Sequence, residues 1–296
     1  MRDRLLDYHH QDTEEFQAAL TYTGTQTGFT PELIEKDYFC SLVLQYLYAE
    51  MDLHELIFKG GTCLNKVYLG FFRLSEDLDF SISTPLNSTQ TERSQMIKPI
   101  KKLIQDLGIH IPGCRVTKSL VGANQSTQYF GEINYTSVFS EDSGKIKIDI
   151  GLGETLQESS FTTHAKTLVM NPFSGKPLLP SVPVKCLSWN ETLAEKVRAI
   201  FTRKEIAVRD FFDLWHAKRN LKFTFDESTI LSMAVKKISV SNYPFAALSK
   251  ERLDQLEKQM ITDLKPVLTD KSFRQFHLSE AMTEAKSFEA YLKNAF

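Results

Sequence analysis

Alternation of apolar and polar residues is strictest in two short stretches, Asp77-Leu78-Asp79-Phe80-Ser81-Ile82 and Lys145-Ile146-Lys147-Ile148-Asp149-Ile150. A period of two predicts strands with one buried face. Leu78, Phe80 and Ile82 then oppose Asp77 and Asp79, while Ile146, Ile148 and Ile150 oppose Lys145, Lys147 and Asp149. A looser alternation covers 126–135. Helical spacing predicts a short helix at 12–21 and a longer one at 31–50. Thr30 caps the longer helix and Pro31 takes its first position. Its apolar positions are Leu33, Ile34, Tyr38, Leu42, Leu44, Leu47 and Tyr48, and Glu35, Lys36 and Asp37 are expected on a solvated side. Residues 91–107 read as a helix ended by Gly108.

An apolar entry (Leu56, Ile57, Phe58), a Gly60-Gly61-Thr62 turn and a helix-like run lead into the Asp77 strand. Residues 171–184 hold four of the ten prolines and predict an irregular crossover. Beyond it the pattern is mostly helical. Ser188-Trp189-Asn190-Glu191 matches the capping box. The helix it opens is apolar at Leu193, Val197, Ile200 and Phe201, with Lys196 off that stripe beside Thr192, Ala199 and Arg203. A further helix begins at Arg209, with Asp210 and Asp213 on one face. Segments 225–237, 249–263 and 278–293 are amphipathic. The expected organisation is 1–170 with a mixed sheet and helices, a crossover at 171–184, and a helical domain over 185–296.

With 296 residues the chain has room for one large domain or two. A net charge of −2 and 42% hydrophobic residues describe an ordinary globular chain and argue against a general nucleic-acid coat protein. Locally, residues 185–237 hold eleven Lys and Arg against seven Asp and Glu. Cys40, Cys63, Cys114 and Cys186 are far apart, which argues against a zinc site or a disulfide framework. The seven histidines have no metal-ligand spacing. The charged start lacks a signal-like apolar core, and no stretch has the roughly 18 apolar residues of a membrane span. A cytoplasmic location is the expectation.

Two carboxylates held side by side on a strand repel one another, and a divalent cation between them relieves the repulsion. All-oxygen donors suit Mg²⁺, with Mn²⁺ an alternative. If the two carboxylate strands pair, Asp77, Asp79 and Asp149 converge on a site for two ions, which would clamp the attacking and leaving oxygens of a phosphoryl displacement. Backbone N–H groups at Gly60 and Gly61 can approach a triphosphate at the start of a helix. The plainer alternatives are an acidic pair on an exposed strand, a surface lysine at 196, and an Arg209–Asp213 ion pair one helical turn apart.

The sequence FKGGTCLNKVY…FRLSEDLDFSI resembles motif I of the DNA polymerase beta-like nucleotidyltransferase superfamily, specifically its AbiEii branch of toxins, whose relatives include the mycobacterial MenT toxins. EKDYFCSLVLQYL, KIKIDIG and LAEKVRAIFTR…VRDFFDLW agree with it, so matching pieces run from about residue 33 to 217. Fifteen residues separate Gly61 from Asp77, longer than the superfamily norm but similar to this branch, and 271–296 has no match. The resemblance implies an α+β fold, an N-terminal nucleotidyltransferase domain with a C-terminal helical domain that completes the nucleotide site. It also implies Mg²⁺ at Asp77 and Asp79. Asp149 would be the third carboxylate, as metal ligand or general base. Lys196 would hold phosphates. Arg209, Asp210 and Asp213 would line the nucleotide side, with one aspartate required; Asp210 is favoured and the choice stays open. Gly60, Gly61, Thr62 and Lys66 are candidates for the phosphate side, and Arg73 and Ser75 for supporting the strand.

The implied reaction moves NMP from an NTP to an acceptor hydroxyl, on RNA and specifically a tRNA 3′ end, within a toxin–antitoxin or phage-abortive system. An antitoxin protein is the implied partner, with no membrane involved. Two alternatives stay open: transfer to a protein or small molecule, and a non-catalytic nucleotide-binding regulator.

Overall fold

A computed structural model of the chain describes residues 8–50, 56–85, 87–153, 156–240 and 244–295. The charged start over residues 1–7 lies outside the described residues. The chain divides into two units. One comprises Met1–Thr155 and Thr162–Cys186, the other Leu156–Phe161 and Leu187–Phe296.

Among the described residues of the first unit, seven strands form one mixed sheet: β1 (Leu56–Lys59), β2 (Asp77–Ile82), β3 (Cys114–Ala123), β4 (Gln128–Tyr135), β5 (Gly144–Gly151), β6 (Phe161–Ala165) and β7 (Val182–Cys186). Their order is β3-β4-β5-β2-β1-β7-β6. The two alternating stretches are adjacent and parallel, with Leu78 opposite Ile148 and Asp79 opposite Asp149. β1 pairs antiparallel with β2 and parallel with β7. Leu78, Phe80, Ile146, Ile148 and Ile150 are at most 1% exposed, so the alternation sets one dry face as expected. Strands β3, β6 and β7 were not foreseen. The last residues of the proline-rich segment are already strand in β7.

Helix α1 (Thr13–Thr27) starts on an Asp12 side chain that accepts from the Glu15 N–H, and runs longer than expected. Helix α2 (Pro31–Glu50) overturns a simple amphipathic reading. Phe39, Cys40, Val43 and Tyr46 are buried along with Ile34, Leu42 and Leu47, as in a helix enclosed nearly all round. Glu35 and Asp37, expected on a solvated side, are each 1% exposed. Glu35 accepts from the Val138 N–H and the Ser137 hydroxyl, both at 2.7 Å. Only Lys36 reaches outward, pairing with Glu76 at 3.1 Å.

After β1 the backbone passes directly into α3 (Gly60–Cys63) and a π-helical continuation over Leu64–Leu69, so the glycine turn is the first turn of a helix. The segment expected as one helix at 91–107 is two, α4 (Gln90–Met96) and α5 (Lys98–His110), with Pro99 in the first turn of the second. Gly108 lies inside α5, where a side chain would press on the Cys114 carbonyl.

The second unit is helical: α6 (Trp189–Thr202), α7 (Val208–Arg219), α8 (Glu227–Ser239), α9 (Lys250–Gln259), α10 (Asp270–Gln275) and α11 (Leu278–Lys293). α6 packs against α7 and α8, and α7 against α11. Ser188 caps α6 by accepting from the Glu191 N–H at 3.1 Å. The reciprocal half of the capping box is absent because Glu191 is spent elsewhere. Fully buried, it accepts from the Gln157 and Glu158 N–H groups at 3.0–3.2 Å and pairs with Lys237 at 2.8 Å.

Candidate active site

In the sheet unit the two glycines exist for what lies against them. Gly60 has φ +75°, and any Cβ there would overlap the Asp79 carboxylate. A Cβ at Gly61 would meet the Arg73 guanidinium at 2.5 Å and the Ser75 hydroxyl at 3.0 Å. The glycine turn and the second carboxylate of the Asp77-Leu78-Asp79 strand are therefore in direct apposition. The Thr62 hydroxyl, fully buried, donates to the Asp77 carbonyl and pins the start of β2. Arg73, 2% exposed, donates to the Leu74 carbonyl at 3.1 Å.

Register does the rest. Directly paired residues project from the same face of a sheet. Lys59 opposes Asp79 across β1–β2, and Asp79 opposes Asp149 across β2–β5. Asp77 sits one pleat along β2 on the same face, opposite Lys147. The three expected carboxylates thus share one face of adjacent strands. Their chemistry fits a hard divalent cation, since every donor is a carboxylate oxygen. Among the described residues, however, no three His, Cys, Asp or Glu side chains are gathered closely enough to count as a ready-made metal centre. Lys59 is an addition the sequence reading missed. Its signal was its place at the end of a strand, immediately before the glycines.

Lys66 goes elsewhere. Its ammonium is completely buried, 2.7 Å from Asp37 Oδ1 and 2.9 Å from the Ser41 hydroxyl. Burial raises the Asp37 carboxyl above its usual range, and the Lys66 charge pulls it back only in part. An internal ion pair, not a phosphate, is what this lysine meets.

In the helical unit, Lys196 is 8% exposed and no surface lysine. Its Nζ lies 2.9 Å from Asp210 Oδ1 and 2.8 Å from Asp213 Oδ2. The i, i+3 spacing on α7 turns both carboxylates to α6, which packs against that helix. Arg203, half exposed, holds the other oxygen of Asp210 at 3.1 Å. Lys196 and Arg203 thus converge on the two carboxylates of α7. Arg209 lies half-buried on the same helix. Burial lowers the pKa of His216, one turn beyond, despite the opposing pull of Asp213.

Comparison with protein families matches residues 43–294 to the one described as nucleotidyl transferase AbiEii toxin, Type IV TA system. Among solved structures, the chain is similar to MenT4, a nucleotidyltransferase toxin from Mycobacterium tuberculosis H37Rv, with 18% identity and a TM-score of 0.61. That alignment covers 94% of this chain and 89% of MenT4, and the likeness is one of fold. JHP933 from Helicobacter pylori aligns at 15% identity and a TM-score of 0.45, over 97% of this chain and 93% of its own. Comparison with curated proteins gave no match.

Proposed function

We propose that this chain, which belongs to the nucleotidyl transferase AbiEii toxin family of type IV toxin–antitoxin systems, transfers NMP from an NTP to a hydroxyl of an RNA acceptor, with a tRNA 3′ end as the first candidate. Membership makes it a nucleotidyltransferase and implies an NTP substrate and an antitoxin partner. The acceptor and the metal are our reading.

One observation supports the metal-assisted transfer: Asp79 and Asp149 stand side by side on adjacent strands, with Asp79 laid over a glycine that admits no side chain. In the reaction, the acceptor oxygen bonds to the α-phosphorus, the bond to the β-phosphate bridge breaks, and pyrophosphate leaves. Asp77, Asp79 and Asp149 would hold Mg²⁺, which when bound supplies charge neutralisation at the phosphates. Asp149 would also take the proton of the attacking hydroxyl. Backbone N–H groups at Gly60 and Gly61 would face the phosphates, and Lys59, in the same row, adds a cation. Lys196 and Arg209 are assigned to phosphate binding, and Asp210, held by both Lys196 and Arg203, is the aspartate we take as required. Thr62 and Lys66 are left out because both are turned inward.

The test is incubation with Mg²⁺, each labelled NTP and total RNA. Label is expected in RNA, dependent on the divalent cation, and absent with Asp79→Asn or Asp149→Asn. Label in protein or a small molecule would overturn the RNA acceptor. Full activity in either variant would overturn the site.

A further inference from the structure

We infer that the face of β3, β4 and β5 beside Asp149 seats the single-stranded end of an RNA acceptor, with Phe130 as the platform on which one base stacks. The inference deepens the function proposed above and rests on it for the acceptor's identity.

The carboxylate row continues past Asp149. Phe130 opposes Asp149 across β4–β5, and Val121 opposes Phe130 across β3–β4. Lys59, Asp79, Asp149, Phe130 and Val121 therefore form one line on one face, each about 5 Å from the next. Phe130 is 45% and Val121 66% exposed, whereas Tyr129, Ile133 and Tyr135 on the other face of β4 are buried. An aromatic ring open to water sits one strand from the carboxylate assigned to the attacking hydroxyl.

Charge identifies what would cover it. On the same face, the next row sets Lys118 opposite Glu132 and Glu132 opposite Lys147, and the row after sets Arg115 opposite Asn134 and Asn134 opposite Lys145. Arg115, Lys118, Lys145 and Lys147 are all exposed, and Lys118 reaches Glu132 at 3.5 Å. Four cations against Glu132 and Asp77, which opposes Lys147, make a strip of net charge +2 on a chain whose net charge is −2. From Lys145 to Asp149 it runs about 13 Å along the strands. Cations beside an exposed aromatic ring are the recognition chemistry of single-stranded nucleic acid: phosphates track the charges and a base stacks on the ring. A protein partner would favour a larger, less charged apolar patch. A mononucleotide would leave most of the strip unused.

The probe is a fluorescently labelled random-sequence oligoribonucleotide of about 12 nucleotides, with binding read by anisotropy and transfer to total tRNA measured alongside. Phe130→Ser, at an exposed position, should melt like wild type and bind the probe roughly 5- to 150-fold more weakly, the loss of one base stack. Phe130→Trp should restore binding. KM for tRNA should rise while KM for NTP stays unchanged. Lys147→Glu should flatten the salt dependence of binding, by about 0.7 in log–log slope for each phosphate no longer neutralised. No probe binding by wild type, Phe130→Ser binding within twofold of wild type, or a raised KM for NTP alone would each overturn the inference. Probe binding that depends on Phe130, with no label transferred to RNA, would overturn the proposed function and leave this site standing.

Discussion

Replacing Lys196 by Met isolates what the buried cluster of the helical unit is worth. The side chain keeps its length and loses its charge, leaving Asp210 and Asp213 facing one another in a site where their side chains are 3% and 0% exposed. Their oxygens lie 2.9 and 2.8 Å from Nζ, so they can be no farther apart than those two distances laid end to end. At that separation two unit charges repel by at least about 3 kcal/mol at an effective dielectric constant near 20. Arg203 remains on Asp210 and offsets part of this, but from a half-exposed position. Losing one partner of a buried pair costs about 3–5 kcal/mol in general, which agrees. In thermal unfolding that is a drop of roughly 6–20 °C. The check is calorimetry on Lys196→Met, Asp213→Asn and the double variant. If the repulsion argument holds, Asp213→Asn recovers most of the loss in the Lys196→Met background, and Lys196→Arg melts close to wild type. A Lys196→Met protein within 2 °C of wild type, unchanged by adding Asp213→Asn, would refute the cluster as a source of stability and leave the ammonium a purely substrate-facing role.

Three further outcomes follow from the geometry. Glu35 is held above its usual 4.5 chiefly by burial, with Glu32 adding to the rise and the bonds from Val138 and Ser137 opposing it. The unfolded chain then ionises first as pH rises, so stability is highest at and below the usual value and falls until the folded carboxyl also ionises. Glu35→Gln removes that slope: across a pH 4–8 melting series its Tm should gain on wild type as pH rises, and a constant gap would refute the shift. Gly60→Ala forces Asp79 aside and places alanine at a positive φ; labelled-NTP transfer should fall about 100-fold, and wild-type activity would refute the apposition. Glu191→Ala leaves Lys237 with Glu195, 2.7 Å away, and strands the Gln157 and Glu158 N–H groups; it should cost about 1–3 kcal/mol in denaturant unfolding, and a midpoint equal to wild type would refute the clamp.

The strands that carry the candidate carboxylates were legible because a single dry face forces strict alternation, and the same periodicity gave the register partners Asp79 and Asp149 a common side. Helix starts at Pro31 and Ser188 were legible because capping is local. What escaped depends on distant partners. Nothing near Lys66 in sequence indicates that Asp37 and Ser41 will receive it. Glu191 completes a capping pattern on paper, yet its carboxylate is claimed by a segment more than thirty residues earlier. A surface position stayed open for Lys196, beside its expected phosphate role, because its two counter-charges sit on another helix. Strand β3 carries Arg115, Thr117, Lys118 and Ser119 within five positions and is irregular in register between Val116 and Val121, and both blur the period of two.

The Glu191 clamp also bears on how the molecule is made. Residues 156–161 belong to the helical unit but are written into the chain before β7, all but the first residue of β6, and every helix of that unit. The two units are therefore interleaved in the covalent chain, and no single cut separates one from the other. During synthesis Gln157 emerges about 80 residues ahead of Lys237, a wait of about 4–16 s at ordinary elongation rates. The sheet can begin to close while the helical unit still lacks its partners. A protein that starts at residue 185 would lack the helical unit's own first segment, so that unit should assemble last and only from a chain that includes residues 156–161.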